Sequence, residues 1–167
     1  TIASLYGMPS NFEIINIAAK NLFIPIGFGG GIRSVDDARM AFQNGSDKIY
    51  INTSAIHNDK IINEIATVYG NQSVCISLQV KKTNINEWNL FYDNGRENSQ
   101  KDPLEWAQHA VECGAGEVLV TSIDNDGTKK GYDIDLIKKI CDNINVPVIA
   151  SGGCGTSDHV LEVLEKT

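Results

Sequence analysis

One stretch of this chain recurs at a distance that limits what the whole can fold into. Ile24-Pro25-Ile26, followed by Gly30-Gly31, Ser34 and Asp36, returns as Val146-Pro147-Val148, followed by Gly152-Gly153, Thr156 and Asp158; Pro147 stands 122 residues after Pro25. A unit that long holds several secondary-structure elements. Two copies amount to about 245 residues, the size of an eight-stranded α/β barrel. The chain has 167 residues, fewer than two such units need.

Local patterning agrees with that size argument. Short apolar runs rich in β-branched residues, at 23–27, 48–52, 73–80, 116–122 and 146–151, read as buried strands. Between them lie helix-length segments at 35–44, 60–69, 103–113 and 134–143, several with Ser or Asp at the start and Gly or Asn at the exit. Near-continuous apolar strands joined by helices predict a parallel sheet covered by helices. The fold expected is one partial TIM (β/α)8 barrel of the phosphate-binding type over 1–167, carrying about strands 2 to 7. Residues 1–4 read as the tail of an earlier strand and 161–166 as a helix that lacks its following strand. One interruption is expected. The run Glu87 to Tyr92 followed by Asp93-Asn94-Gly95-Arg96 carries an Asn-Gly hairpin signal, so a small β-hairpin insertion is predicted near 86–97.

Composition narrows the function classes. With 42% hydrophobic and 21% charged residues the chain reads as an ordinary globular domain, with no composition shift to mark a second one. No apolar run is long enough to cross a bilayer and the first residues do not read as a signal peptide, so the expected location is the cytoplasm. A formal charge of −7 argues against nucleic acid or anionic membrane as a partner, since both require a clustered positive field. An anionic small molecule is still compatible if backbone N–H groups bind it. Cys75, Cys113, Cys141 and Cys154 form no C-x-x-C pair and are read without a histidine at ligand spacing. They are expected to be reduced, mostly buried thiols, with no metal and no cofactor.

The candidate site residues cluster at strand ends. Gly29-Gly30-Gly31 follows a strand and precedes a helix, where bare backbone can approach an anion; the alternative is a tight βα turn with no ligand. Ser151-Gly152-Gly153 repeats the arrangement half a barrel later, which suits a double-ended, bisphosphorylated substrate. Asn52 and Thr53 end another strand, where they could reach a phosphate or cap the next helix. Lys48 lies at the opposite end of that strand; if buried it needs a carboxylate, and Glu117 is the candidate, two solvated charges being the alternative. Asp124-Asn125-Asp126-Gly127 crowds a further strand end. Its superficial likeness to a calcium loop fails at Asp133, which belongs to a helix start.

Taken together, Gly29 to Arg33, Asp47 to Thr53, Gly114 to Asp124 with Asp126-Gly127-Thr128 and Gly131-Tyr132-Asp133, and Pro147 to Gly153 resemble the successive signature blocks of the imidazole glycerol phosphate synthase cyclase family. The resemblance covers nearly the whole chain in order. It implies a barrel that closes a ring with ammonia delivered through its core from a glutaminase (glutamine amidotransferase) subunit docked on the N-terminal face. By position, Gly31, Asn52 and Thr53, beside Gly30, would hold one phosphate, and Gly127 and Gly153, with Gly152, the other. Lys48 and Glu117 would match charged residues at the ammonia entrance, while Asp126, Thr121 and Ser151 would line the substrate cleft. The family's catalytic aspartate on its fifth strand is replaced by Gln79, and the strand bearing its partner aspartate precedes residue 1. A carboxamide cannot transfer a proton near neutral pH, so impaired catalysis is expected. Two other readings stand beside this one. The first is a paralogue supplying ammonia for amidino groups on bacterial surface sugars, which Gln79 and Asp102-Pro103-Leu104-Glu105 would suit; the second is a non-catalytic, glutaminase-docking barrel.

Overall fold

The structure, a computed structural model, describes residues 12–167. The expected strand tail at 1–4 lies outside them. The described elements run α1 (Phe12–Asn21), β1 (Gly27–Gly29), α2 (Val35–Gln43), β2 (Lys48–Ile51), the short α3 (Thr53–His57), α4 (Lys60–Tyr69), β3 (Val74–Asn84), β4 (Glu87–Tyr92), β5 (Glu97–Asn98), α5 (Pro103–Glu112), β6 (Glu117–Ser122), α6 (Ile134–Cys141), β7 (Val148–Ser151) and α7 (Ser157–Lys166). Five strands are parallel, in the order β1-β2-β3-β6-β7, each neighbouring pair joined through helices. This is the curled sheet of a partial TIM barrel.

Alternation along the strands gives the sheet two unlike faces. One face carries Ile49, Ile51, Val74, Ile76, Leu78 and Val80, all essentially inaccessible. It packs against helix residues such as Ile62, Ile65, Ala107, Ala110, Leu136 and Ile140, which are also fully buried. Each such aliphatic side chain contributes roughly 1.5–3 kcal/mol through its removal from water, so this layer is the core. The register Tyr50↔Cys75↔Glu117 and Gln79↔Thr121↔Ser151 sets the opposite, concave face. That face is polar at both ends.

The helices begin where their caps dictate. Ser34 accepts from the Asp37 N–H and Asp37 in turn accepts from the Arg33 N–H, which starts α2. Asp102 accepts from the Leu104 and Glu105 N–H groups with Pro103 in the first turn of α5, and Asp133 accepts from the Leu136 N–H at the start of α6. No helix among the described residues is long and apolar enough to cross a membrane.

Three expectations need correction. The first strand is not 23–27 but Gly27–Gly29: Pro25 has no N–H to offer a ladder, Phe23 is 98% exposed, and the Ile26 N–H is taken by the Asp47 carboxylate. The hairpin is larger than 86–97, because β3 runs on past its pairing with β2, which ends at Ile76, and pairs antiparallel with β4 through Gln79↔Phe91 and Lys82↔Trp88. The Asn-Gly turn is real, with Asp93, Asn94 and Gly95 all at positive φ, but it joins β4 only to the two-residue β5. The helices α1 and α3 were not expected from the pattern. Trp88 fastens the hairpin: its Nε1 donates to Asp133 Oδ2 at 3.0 Å, and the ammonium groups of Lys82 and Lys139 lie over its ring.

Candidate active site at the strand ends

A cleft of about 340 Å³ opens at the C-terminal ends of β1 and β2, beside Ser77 and Gln79 in the middle of β3. Gly30, Gly31, Asn52, Thr53 and Gln79 all line it, as does Asn94 from the hairpin tip. Gly30 and Gly31 turn the chain from β1 toward α2 with φ of 101° and 85°, a conformation that L side chains rarely adopt. Asn52 does not cap the helix that follows it. Its amide Nδ2 donates instead to the Ser77 carbonyl at 2.7 Å and the Phe91 carbonyl at 3.4 Å, tying β2 to both β3 and β4. The Thr53 hydroxyl donates to Asn52 Oδ1 and accepts from the Asp93 N–H. Both side chains therefore fasten the hairpin over the cleft.

Gln79 occupies the centre of this end. It pairs in register with Phe91 on one side and Thr121 on the other, and its Oε1 is buried with no hydrogen-bond partner among the described residues. A buried acceptor left unsatisfied costs about 1–3 kcal/mol, and a group in that condition calls for an explanation such as a role in binding.

The second glycine cluster is differently placed. Thr121 and Ser151 are paired across β6 and β7, and the Asp126 N–H donates to the Ser122 carbonyl. Neither Asp126, Gly127, Ser151, Gly152 nor Gly153 lines the first cleft. A Cβ on Gly152 would stand 2.7 Å from the Ser122 carbonyl oxygen, and one on Gly153 would run into that of Gly131, whose N–H donates to the Gly153 carbonyl at 2.8 Å. These two glycines are thus required by the close approach of two loops. Gly127, with φ of 74°, has nothing within 4 Å of a Cβ position and faces open space.

At the N-terminal end of the concave face, Lys48 Nζ meets Glu117 Oε1 at 2.8 Å, the pairing expected from their strand positions. Glu117 is only 8% exposed and its Oε2 has no partner among the described residues. The hydrogen bond to Glu117 raises Lys48 above the usual lysine range. Beside them, burial and the Glu117 charge push the Cys75 thiol up to about 12, and burial raises Tyr50. The cysteines are not mostly buried as expected: Cys75 is, Cys113 and Cys141 are half-buried, and Cys154 is exposed. Nor do they all lack a histidine, since His109 stands four residues before Cys113 on α5.

Several lining residues escaped the sequence reading, among them Tyr50, His57 and Asn94. Alternation from Lys48 would have placed Tyr50 on the concave face. Asn94 had no such signal, because only the hairpin's docking brings it there.

A model of the histidine biosynthesis protein family matches residues 2–167. The imidazole glycerol phosphate synthase subunit HisF of Legionella pneumophila is 48% identical over 155 residues, which is 93% of this chain and 73% of that protein. That of Bacillus cereus (strain G9842) is 42% identical over 161 residues, 96% of this chain and 64% of the relative; for Streptococcus sanguinis (strain SK36) the figures are 43% over 155 residues, 93% and 62%. The chain therefore spans roughly two thirds of the length of the relatives it matches, and it belongs to the histidine biosynthesis protein family, alongside the HisF subunits.

Proposed function

We propose that this chain is the barrel of an ammonia-dependent cyclase subunit of imidazole glycerol phosphate synthase, working with a glutaminase partner in histidine biosynthesis. The observation that carries the reading is the polarity of the concave face: an ion pair, Lys48–Glu117, at one end and the Gln79 cleft at the other. Ammonia enters at the paired charges and travels along this face to the strand ends. A bisphosphorylated substrate lies across those ends, one phosphate over the main chain of Gly30-Gly31 beside Asn52 and Thr53, the other toward Gly127, Gly152 and Gly153. Thr121, Asp126 and Ser151 meet the substrate between its two ends, beyond the first cleft. The unsatisfied Gln79 Oε1 accepts a hydrogen bond from the substrate and orients it, and Gln79 takes no part in proton transfer.

Gln79→Asp in the full-length protein tests the assignment. It returns a titratable group to the cleft with one methylene less and little effect on folding. General acid–base groups contribute about 10²- to 10⁴-fold in rate, so ammonia-dependent turnover of the bisphosphorylated substrate should rise at least about tenfold, roughly 1.4 kcal/mol of barrier. Unchanged turnover in a variant that still binds the substrate removes Gln79 from the position of a lost acid. That result favours the second reading, a paralogue delivering ammonia for amidination of surface sugars or a non-catalytic glutaminase-docking barrel, which the carboxamide at Gln79 suits.

A further inference from the structure

On the outer helical layer, away from the cleft, three ligating side chains converge. His109 and Cys113 are one helical turn apart at the end of α5, and Asp59 precedes α4. His109 Nε2 lies 2.7 Å from Asp59 Oδ2 and 3.6 Å from Cys113 Sγ, and the three ligand atoms all fall within 4.8 Å of one another. All three residues are half-buried.

Two features separate this cluster from a chance surface contact. Asp59, at the start of α4, has helical backbone dihedrals, so its side chain makes no cap bond and reaches His109 on the neighbouring helix. The carboxylate and the thiol also both meet the same ring nitrogen. A cysteine nucleophile activated by a histidine needs the orienting acid on the other nitrogen, so the arrangement is unsuited to that chemistry. Oxygen, nitrogen and sulfur atoms gathered within 4.8 Å of one another suit a cation instead. Zinc bonds of about 2.0–2.1 Å to nitrogen and oxygen and about 2.3 Å to sulfur, at tetrahedral angles, set N···S near 3.6 Å and N···O near 3.3 Å. The thiol already stands at that separation, and the carboxylate needs to withdraw by roughly 0.6 Å.

We propose that Asp59, His109 and Cys113 form a binding site for a zinc-class divalent cation, three protein ligands with a fourth position open. The mixed O, N, S set favours a borderline metal such as Zn(II) or Co(II) over Mg(II) or Ca(II), which prefer oxygen alone. Binding releases the Cys113 proton to solvent, moves the proton on His109 Nε2 to Nδ1 or, from an imidazolium, to solvent, replaces the His109–Asp59 hydrogen bond with two metal bonds, and clamps α4 to α5.

The test is a Co(II) titration of the metal-free, reduced full-length protein. One equivalent should bind and give a near-ultraviolet thiolate-to-cobalt band with the strong visible absorption of four-coordinate cobalt, both bleached by Zn(II). Cys113→Ser should abolish the band, while Asp59→Asn and His109→Gln should each weaken binding at least tenfold; Cys154→Ser should leave it intact. Circular dichroism of each variant keeps loss of metal distinct from loss of fold. No cobalt uptake by the folded protein, or a band that survives Cys113→Ser, overturns the proposal.

Discussion

Replacing Lys48 with Met keeps most of the side-chain volume and removes the ammonium that neutralises Glu117. At 2.8 Å the two charges attract by about 6 kcal/mol if the effective dielectric constant is about 20. The net loss is smaller. Breaking a fully buried pair costs about 3–5 kcal/mol because the remaining charge is stranded, and here the Lys48 side chain is 35% exposed, so water already screens part of the interaction. About 2 kcal/mol is the expected destabilisation. Glu117→Met should cost about 1 kcal/mol, since the Lys48 ammonium it leaves unpaired reaches solvent. Replacing both with Met should return the protein to within about 1 kcal/mol of the original, since no charge is then stranded. Urea unfolding followed by circular dichroism, with constant slope, measures all four corners of the cycle. The pH dependence has a definite sign. Because Lys48 is raised in the folded state, its contribution is fully present below its ordinary value of 10.5 and is lost as pH climbs through the raised one. A Lys48→Met deficit below about 0.5 kcal/mol, or a cycle additive to within about 0.5 kcal/mol, would refute the view that this pair holds a buried carboxylate in place.

Two further outcomes follow from side chains on the concave face. Cys75, buried and with its thiol pushed up to about 12, should resist iodoacetamide in the native protein at pH 8 while exposed Cys154 reacts, a difference of more than about tenfold by peptide mass mapping. Equal labelling of the two would refute the burial. Asn52→Ala removes the donor to the Ser77 and Phe91 carbonyls and should cost about 1–3 kcal/mol in urea unfolding, with faster hydrogen exchange at the Asp93 amide; unchanged exchange there would show that Asn52 does not hold the hairpin.

What the sequence made legible was what periodicity and chain order control. Lys48 and Glu117 begin strands separated by one neighbour in the sheet, so strand polarity made Glu117 the candidate partner, with two solvated charges as the alternative that the structure removes. Gln79 was singled out by the family resemblance and not by alternation; the strand expected at 73–80 put it near a strand end, whereas β3 continues to Asn84. Helices with strong caps at Ser34, Asp102 and Asp133 start where their sequence says they should. Non-local docking was invisible. That Asn52 and Thr53 spend their polar atoms on the hairpin, and that Gly152 and Gly153 are crowded by Ser122 and Gly131, depends on which loops meet. A glycine pair reads the same whether the backbone approaching it belongs to a ligand or to the chain itself.

The unequal use of the two glycine clusters bears on how the strand ends recognise an anion. At Gly152-Gly153 the missing side chains make room for the neighbouring loop, so those positions are already explained by the fold. At Gly30-Gly31 the turn borders a cleft, while the polar side chains beside it, Asn52 and Thr53, are engaged with β3, β4 and the Asp93 amide. Recruiting those side chains to a phosphate would loosen the hairpin that carries Asn94 into the same cleft. Main-chain approach at the glycine turn leaves the bonds of Asn52 and Thr53 in place, since a backbone N–H and not those side chains meets the anion. The cleft's shape and its anion affinity are therefore coupled through two residues whose first task is to hold β4 in place, and a substitution at either one should alter both together.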